Sequence, residues 1–430
     1  MDTNNWLTAD KAYCWHPFTQ QSEWMEDDLL VLVGGKGVWL KDSEGNEYID
    51  GNSSIWTNIH GHDHSLINEA IIHQLQRVAH TSYLGFANPR ASELAERLCA
   101  FFPPQTLERV FFSDNGSTAV EVALKMEIQY RMQTGEPERT EFIAFDQAYH
   151  GDTMGAASLG GVGSFFDRFR KFGFPVTHLR DLNELHELDT DRLKRIAAII
   201  IEPLVQGVNQ IHIWEKGMLR ELRKWCDQHE IHLILDEVMT GFGRTGTMFA
   251  CQQESVIPDY LCLAKGLTGG YMPLAATIVQ AGIYNAFLGN RDQAFYYGHS
   301  YTANQLGCAA ALANLDIFRE EKTLEGLPPK IEQFSSALRE LASRYENVYA
   351  VRQCGMVIGI ELREKNGVIF AHDLRVGEKF CKHVRKYGLL TRPVLDTIVI
   401  LPPLSISEAE ISHLLRAIDL SLLEVFEKEG

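Results

Sequence analysis

Between Ile231 and Gly270, two apolar runs end in charge. The first, Ile231-His232-Leu233-Ile234-Leu235, stops at Asp236-Glu237-Val238; the second ends Leu263-Ala264-Lys265-Gly266, with small residues bracketing the lysine. Short continuous apolar runs of this kind read as core strands covered on both faces. A lysine at the end of such a strand is costly unless it is neutralised or bonded. Lys265 is therefore a candidate Schiff-base former. Asp236, at the end of a neighbouring strand, is the natural partner for a heterocyclic nitrogen in the same pocket.

The same pattern recurs along the chain. Val110–Phe112, Phe142–Phe145, Ala197–Ile201, Leu261–Ala264 and Ala275–Val279 are apolar without alternation. Helical spacing separates many of them, as over 66–80, 91–102, Asp181–Ile196 and Met218–His229. This predicts a large α/β domain with a mostly parallel sheet. A helix over Leu306–Glu320 leads into a C-terminal α+β unit, and residues 30–51 read as a β-meander. With 430 residues and 45% hydrophobic content, the chain can build a full core.

The net charge of -17 argues against nucleic acid or an anionic membrane as partner. Eight scattered cysteines without a Cys-x-x-Cys pair point to a reducing compartment. The start, Met1-Asp2-Thr3-Asn4-Asn5, has no apolar h-region, and no apolar run is long enough to span a membrane. These features give the expectation of a cytoplasmic protein.

Several loops at strand ends carry candidate chemistry. Asn115-Gly116-Ser117 offers amides and a hydroxyl to a phosphate, although an ordinary helix cap is the simpler reading of it alone. Tyr149 can stack on a planar ligand, and His150 with Asp152 fits an orienting pair or a capped loop. Glu202 follows a strand, at the edge where open α/β sheets bind ligands. Gly241-Phe242-Gly243-Arg244-Thr245-Gly246 is not a dinucleotide fingerprint, since its third glycine is displaced; it presents Arg244. Arg392 suits a bidentate carboxylate contact or a surface salt bridge. Tyr297-Gly298-His299-Ser300 suits a second phosphate contact or a turn. His60-Gly61-His62-Asp63-His64 lacks a supporting ligand cluster, so no metal is expected.

Together these pieces resemble the class III, pyridoxal-phosphate-dependent aminotransferases of fold type I. The most specific parts are Asp236-Glu237-Val238, Thr240-Gly241-Phe242-Gly243-Arg244-Thr245-Gly246 and Lys265-Gly266-Leu267-Thr268-Gly269-Gly270, in order and at fitting spacing. The resemblance implies a seven-stranded, mostly parallel sheet in a large domain plus a smaller α+β domain. Residues 1–60 would be an N-terminal segment contributing to the small domain, 61–320 the large cofactor-binding domain, and 321–430 the C-terminal small domain. It implies a ping-pong transaminase working as a homodimer with shared active sites, using pyridoxal 5'-phosphate. Lys265 would hold the cofactor covalently, Asp236 would pair with its ring nitrogen, and Tyr149 and Val238 would pack on its faces. Gly116, Ser117 and Glu202 would complete the cofactor site, with Ser300 from the neighbouring subunit.

Within the class, Trp15-His16-Pro17-Phe18-Thr19, Ser53-Ser54-Ile55-Trp56, Tyr149-His150-Gly151-Asp152-Thr153 and Thr391-Arg392-Pro393 are similar to the branch that aminates 8-amino-7-oxononanoate to 7,8-diaminononanoate in biotin biosynthesis. That resemblance implies Arg392 on the substrate carboxylate, with Phe18, Ile55, Asp152, Arg244 and Gly298 lining the substrate pocket. Phe18 stands where users of S-adenosylmethionine carry tyrosine, and Ile55 where they carry tryptophan. The donor is accordingly S-adenosylmethionine or lysine, with the departures nearer the lysine users. Met239 stands where alanine is usual. Another ω-aminotransferase, of ornithine, aminobutyrate or diamine type, is the competing expectation.

Overall fold

Burial on both faces decides the central sheet of this computed structural model, which describes residues 3–426. Met1, Asp2 and residues 427–430, which belong to the expected terminal segments, lie outside the described residues. The sheet has seven strands in the order Leu107–Ser113, Ala275–Gln280, Tyr260–Leu263, His232–Asp236, Ile196–Ile201, Glu141–Phe145, Val176–Leu179. Only Ala275–Gln280 runs antiparallel to its neighbours; the other pairings are parallel. Every residue of Ile196–Ile201 is buried, and each isoleucine among them contributes about 1.5–3 kcal/mol against exposure.

The register aligns the chemistry. Ile201 pairs with Leu235, and Asp236 with Cys262. Glu202, Asp236 and Lys265 therefore leave three adjacent parallel strands at the same edge. The predicted strands and the helices Met218–His229 and Gln305–Glu320 form close to their expected bounds.

Two local expectations change. Val176–Leu179 adds an edge strand that its short, mixed sequence does not signal. The Asp181–Ile196 stretch is not one helix: Asp181 caps a 3-10 turn through Asn183 N, and Asp189 caps a fresh helical turn through Arg192 N. A second N-cap restarts the chain where continuous periodicity suggested one element.

The C-terminal unit packs Leu327–Arg344 and Glu408–Phe426 on an antiparallel sheet of Val348–Cys354, Val357–Leu362, Thr397–Ile400 and Arg392–Val394. The N-terminal meander forms as read, and Glu47–Asp50 pairs with Leu389–Leu390. Residues before 60 are thus tied by backbone bonds to the C-terminal unit. No helix of the described residues is long and apolar enough to cross a membrane.

Candidate active site

A cavity of about 450 Å³ opens at the carboxyl edge of the sheet. Its lining includes Gly116, Ser117, Tyr149, Glu202, Asp236, Val238 and Lys265, all singled out in the sequence. It also includes Trp56, His150, Gly151 and Met239.

Lys265 opens the 3-10 turn Lys265–Thr268 with φ 42, a conformation that costs a non-glycine residue free energy. Its Nζ lies 4.9 Å from the Trp56 ring centroid. Burial pushes the amine below the usual lysine range, and the charges of Asp236 and Glu202 oppose only part of that shift.

Asp236 accepts a hydrogen bond from Val238 N at 3.1 Å, and its Oδ2 lies 2.7 Å from His150 Nδ1. The His150 ring is buried, and its Nε2 has no hydrogen-bond partner among the described residues. The sequence paired His150 with Asp152; the fold gives it to Asp236, a contact across 86 positions that no local spacing signals. Asp152 instead accepts the Tyr149 hydroxyl at 2.6 Å, and its amide donates to Ser117 Oγ at 3.0 Å. Burial, then the bond to Asp152, push the Tyr149 phenol above its usual range.

Glu202 is buried and accepts from Tyr149 N at 3.1 Å and Gly207 N at 2.9 Å. Burial pushes its carboxyl up to about 7, and the Asp236 charge adds to that, against His150 and the two amides.

The helix Gly116–Gln133 starts at this cavity. Its capping box, between Asn115 and Thr118, satisfies the Thr118 amide and leaves Gly116 and Ser117 on the lining. A Cβ at Gly116 would sit 2.7 Å from Val238 Cγ1, and one at Gly151 2.3 Å from Ser117 Oγ. Both positions need glycine for the cradle to close. A flat, phosphorylated aldehyde fits this donor set: an amine, a carboxylate facing it, an aromatic ring, an aliphatic wall and the amides of a helix start.

The wall above Lys265 is a left-handed helical turn. Ser53, Ser54, Ile55 and Trp56 have φ of 45, 49, 66 and 67, each costing about 1–2 kcal/mol. The turn closes through Trp56 N on Asn52 O and Thr57 N on Ser53 O. Ser53 Oγ donates to Leu401 O at 2.6 Å, and the Ser54 hydroxyl to Asp50 at 2.8 Å. Trp56 thereby lines the cavity, while Ile55 is half exposed and outside that lining. The aromatic residue is visible in the sequence; the handedness of its turn is not.

Other expected site residues stand outside the lining. Phe18 is exposed but meets Phe165 at 5.4 Å, which in turn meets Tyr149 at 6.3 Å, so it approaches the mouth. Arg244, expected at the substrate pocket, is fully buried behind it. The loop folds inward, and the Arg244 guanidinium donates to the backbone carbonyls Pro402 O and Asn58 O, both at 2.7 Å. Burial pushes Arg244 down to about 9. Arg392 lies exposed on its strand, and Gly298 and Ser300 lie in an exposed segment whose Ser300 carbonyl accepts from His80 Nε2. Among the histidines grouped in the sequence, His62 pairs with Asp50 and His64 with Glu321.

A family model for class III aminotransferases matches residues 21–422. A relative from Geobacter sulfurreducens, named adenosylmethionine-8-amino-7-oxononanoate aminotransferase, is 43% identical over 98% of each chain. One of the same name from Aquifex aeolicus is 41% identical over 98% of this chain and 97% of its own. The crystal structure of such an enzyme from Methanocaldococcus jannaschii superposes with a TM-score of 0.95 at 39% identity, covering 98% of this chain and 99% of its own. An (S)-enantioselective omega-transaminase from Thermomicrobium roseum gives 0.93 at 33%, covering 99% and 100%.

Proposed function

This chain belongs to the class III aminotransferases, pyridoxal-phosphate-dependent enzymes, and on that premise we propose that it aminates 8-amino-7-oxononanoate to 7,8-diaminononanoate, a step of biotin synthesis. The observation that carries the substrate is near-full-length identity of 43% and 41% to relatives named for that keto acid.

When bound, the cofactor supplies an aldehyde to take up an amine and a ring to accept the electron pair left on the substrate carbon. The chain supplies the rest. The Gly116 and Ser117 amides and the Ser117 hydroxyl would hold the phosphate at the helix start. Tyr149 and Val238 would hold the ring between them, and Glu202 would close the cofactor site beside them. Asp236, oriented by His150, would hold the proton on the ring nitrogen. Lys265 Nζ, its basicity lowered by burial, takes a proton from the donor carbon and returns it as acid. Arg392 is the proposed receiver of the keto acid's carboxylate, with Phe18, Ile55 and Asp152 at the mouth.

The donor is S-adenosylmethionine or lysine, and Phe18 and Ile55 favour lysine. The test is one single-turnover comparison. Each donor is mixed with holoenzyme and the visible band is followed, then 8-amino-7-oxononanoate is added. Lysine is expected to bleach the band faster and the keto acid to restore it; failure of the keto acid to restore it would sink the substrate. The omega-transaminases among the solved likenesses, such as that from Thermomicrobium roseum at 33% identity, support a second reading as a broader ω-transaminase. Restoration by simple ketones but not by the keto acid would select it.

A homodimer with shared sites is part of the proposal. Gly298 and Ser300 lie off their own chain's cavity, in a segment that also exposes Tyr296 and Tyr301, a face suited to a second copy. Free cysteines throughout support a cytoplasmic setting.

A further inference from the structure

The Trp56 indole is held from several directions. Its Nε1 donates to Asn52 Oδ1 at 2.8 Å. Lys265 Nζ stands over its face at 4.9 Å. Behind the ring lies Gly207, where an added Cβ would come within 2.9 Å of Cζ3, 3.0 Å of Cη2 and 3.2 Å of the Met239 Cε. Ring edge, methionine methyl and glycine backbone thus meet at one point with no room for another carbon. Met239 is buried, and the partly buried Trp56 packs with it against Val205, Ile211 and Leu401. The turn's backbone bonds do not reach the ring; the indole bond to Asn52 holds one edge and the contacts behind it hold the other.

We propose that Met239 and Gly207 are positioning residues that clamp the Trp56 indole against the cavity above Lys265, and that this clamp sets how tightly the donor amine is held. Gly207 also ties the clamp to the cofactor site, since its amide donates to Glu202 at 2.9 Å. A flat, electron-rich face beside the reacting amine selects donors with a second cationic end that can lie on it. A smaller residue at 239 leaves the ring free to turn from that position, and a larger one at 207 pushes it forward. The inference deepens the transaminase reading and rests on it for the word donor; the ring's position does not.

The test uses holoenzyme containing 5-fluorotryptophan. The chain has seven tryptophans, and Trp56→Phe assigns the resonance of interest in the ¹⁹F spectrum. Met239→Ala is expected to shift or broaden that resonance selectively and to raise KM for the fastest-bleaching amine by about tenfold, with a much smaller change in kcat. Met239→Leu should restore both. An unmoved resonance overturns the clamp. So does a raised KM with the resonance in place, which would mean that Met239 meets the amine directly. If Met239→Ala does not fold, Gly207→Ala reads the same resonance from the other side, and its failure to move the signal overturns the proposal equally. A moved resonance in an enzyme that never aminates 8-amino-7-oxononanoate leaves the clamp standing and removes only the substrate assignment.

Discussion

The floor and the wall of the cavity are built on opposite terms. Asp236 and Glu202 sit at the ends of parallel strands whose register is fixed by ladders on both sides. The wall, Ser53–Trp56, is a run of non-glycine residues in the left-handed region, held by Asp50, Asn52 and Leu401 rather than by a sheet. The residues proposed for chemistry common to all substrates stand on rigid elements; the surface proposed to meet a particular amine stands on a strained turn. Strain of this kind persists only where surrounding bonds over-determine it. Lys265 belongs to both regions, since it follows a core strand yet itself takes φ 42.

The largest effects should come from breaking the floor. Lys265→Ala removes the amine proposed to hold the cofactor and to move the proton. It is expected to abolish the borohydride-reducible visible band and every half-reaction; turnover at wild-type rates would refute the assignment. Asp236→Asn keeps the shape and removes the charge. Loss of one such electrostatic contact typically costs about 10²–10³ in kcat, and it also leaves buried His150 without its carboxylate. Stopped-flow bleaching by a donor amine measures it, and a loss under about tenfold would show that the ring nitrogen does not depend on Asp236.

The same contrast explains what could be read beforehand. Asp236 and Lys265 were legible because an apolar run that ends in charge is a local signal. Glu202 and Ser117 were legible as strand-end and helix-start residues, although each alone fitted a plainer role. His150 on Asp236 was not, because that contact joins elements brought together only by the sheet order. Nor was the fate of Arg244: the glycine-rich loop showed that it was presented, but not that it turned inward to backbone carbonyls. The left-handed turn at Ser53–Trp56 was invisible because serine, isoleucine and tryptophan carry no preference for it. The Asp181–Ile196 helix failed for a related reason, since an internal Asp cap outweighed the periodicity.

A smaller effect separates the floor's charge from its shape. Glu202 is pushed up from an ordinary value of 4.5 to about 7, chiefly by burial. The folded chain therefore binds that proton more tightly than the unfolded one. The resulting stabilisation is fully present below 4.5 and is lost as pH rises to about 7. Glu202→Gln keeps a neutral group of the same shape. Without cofactor it should match the wild type near pH 4.5 and be more stable at pH 8, by at most about 3 kcal/mol. Melting midpoints of the two proteins across that window measure it, and a difference independent of pH would refute the role of ionisation.

The smallest effect sharpens the wall. Ile55 has φ 66, an unfavourable conformation for a β-branched residue. Ile55 is 46% exposed. Ile55→Gly relieves the backbone strain, worth about 1–2 kcal/mol, but adds unfolded-chain entropy of about 0.5–1 kcal/mol. The melting midpoint should therefore hold or rise slightly, while the Trp56 resonance stays in place because Met239 and Gly207 still hold the ring. A fall in stability beyond about 1 kcal/mol would mean that the isoleucine side chain, not the bonds to Asp50 and Leu401, keeps the turn left-handed. The wall would then be fixed by its own residues, and exchanging the residue at 55 would move Trp56 as well as the surface beside it.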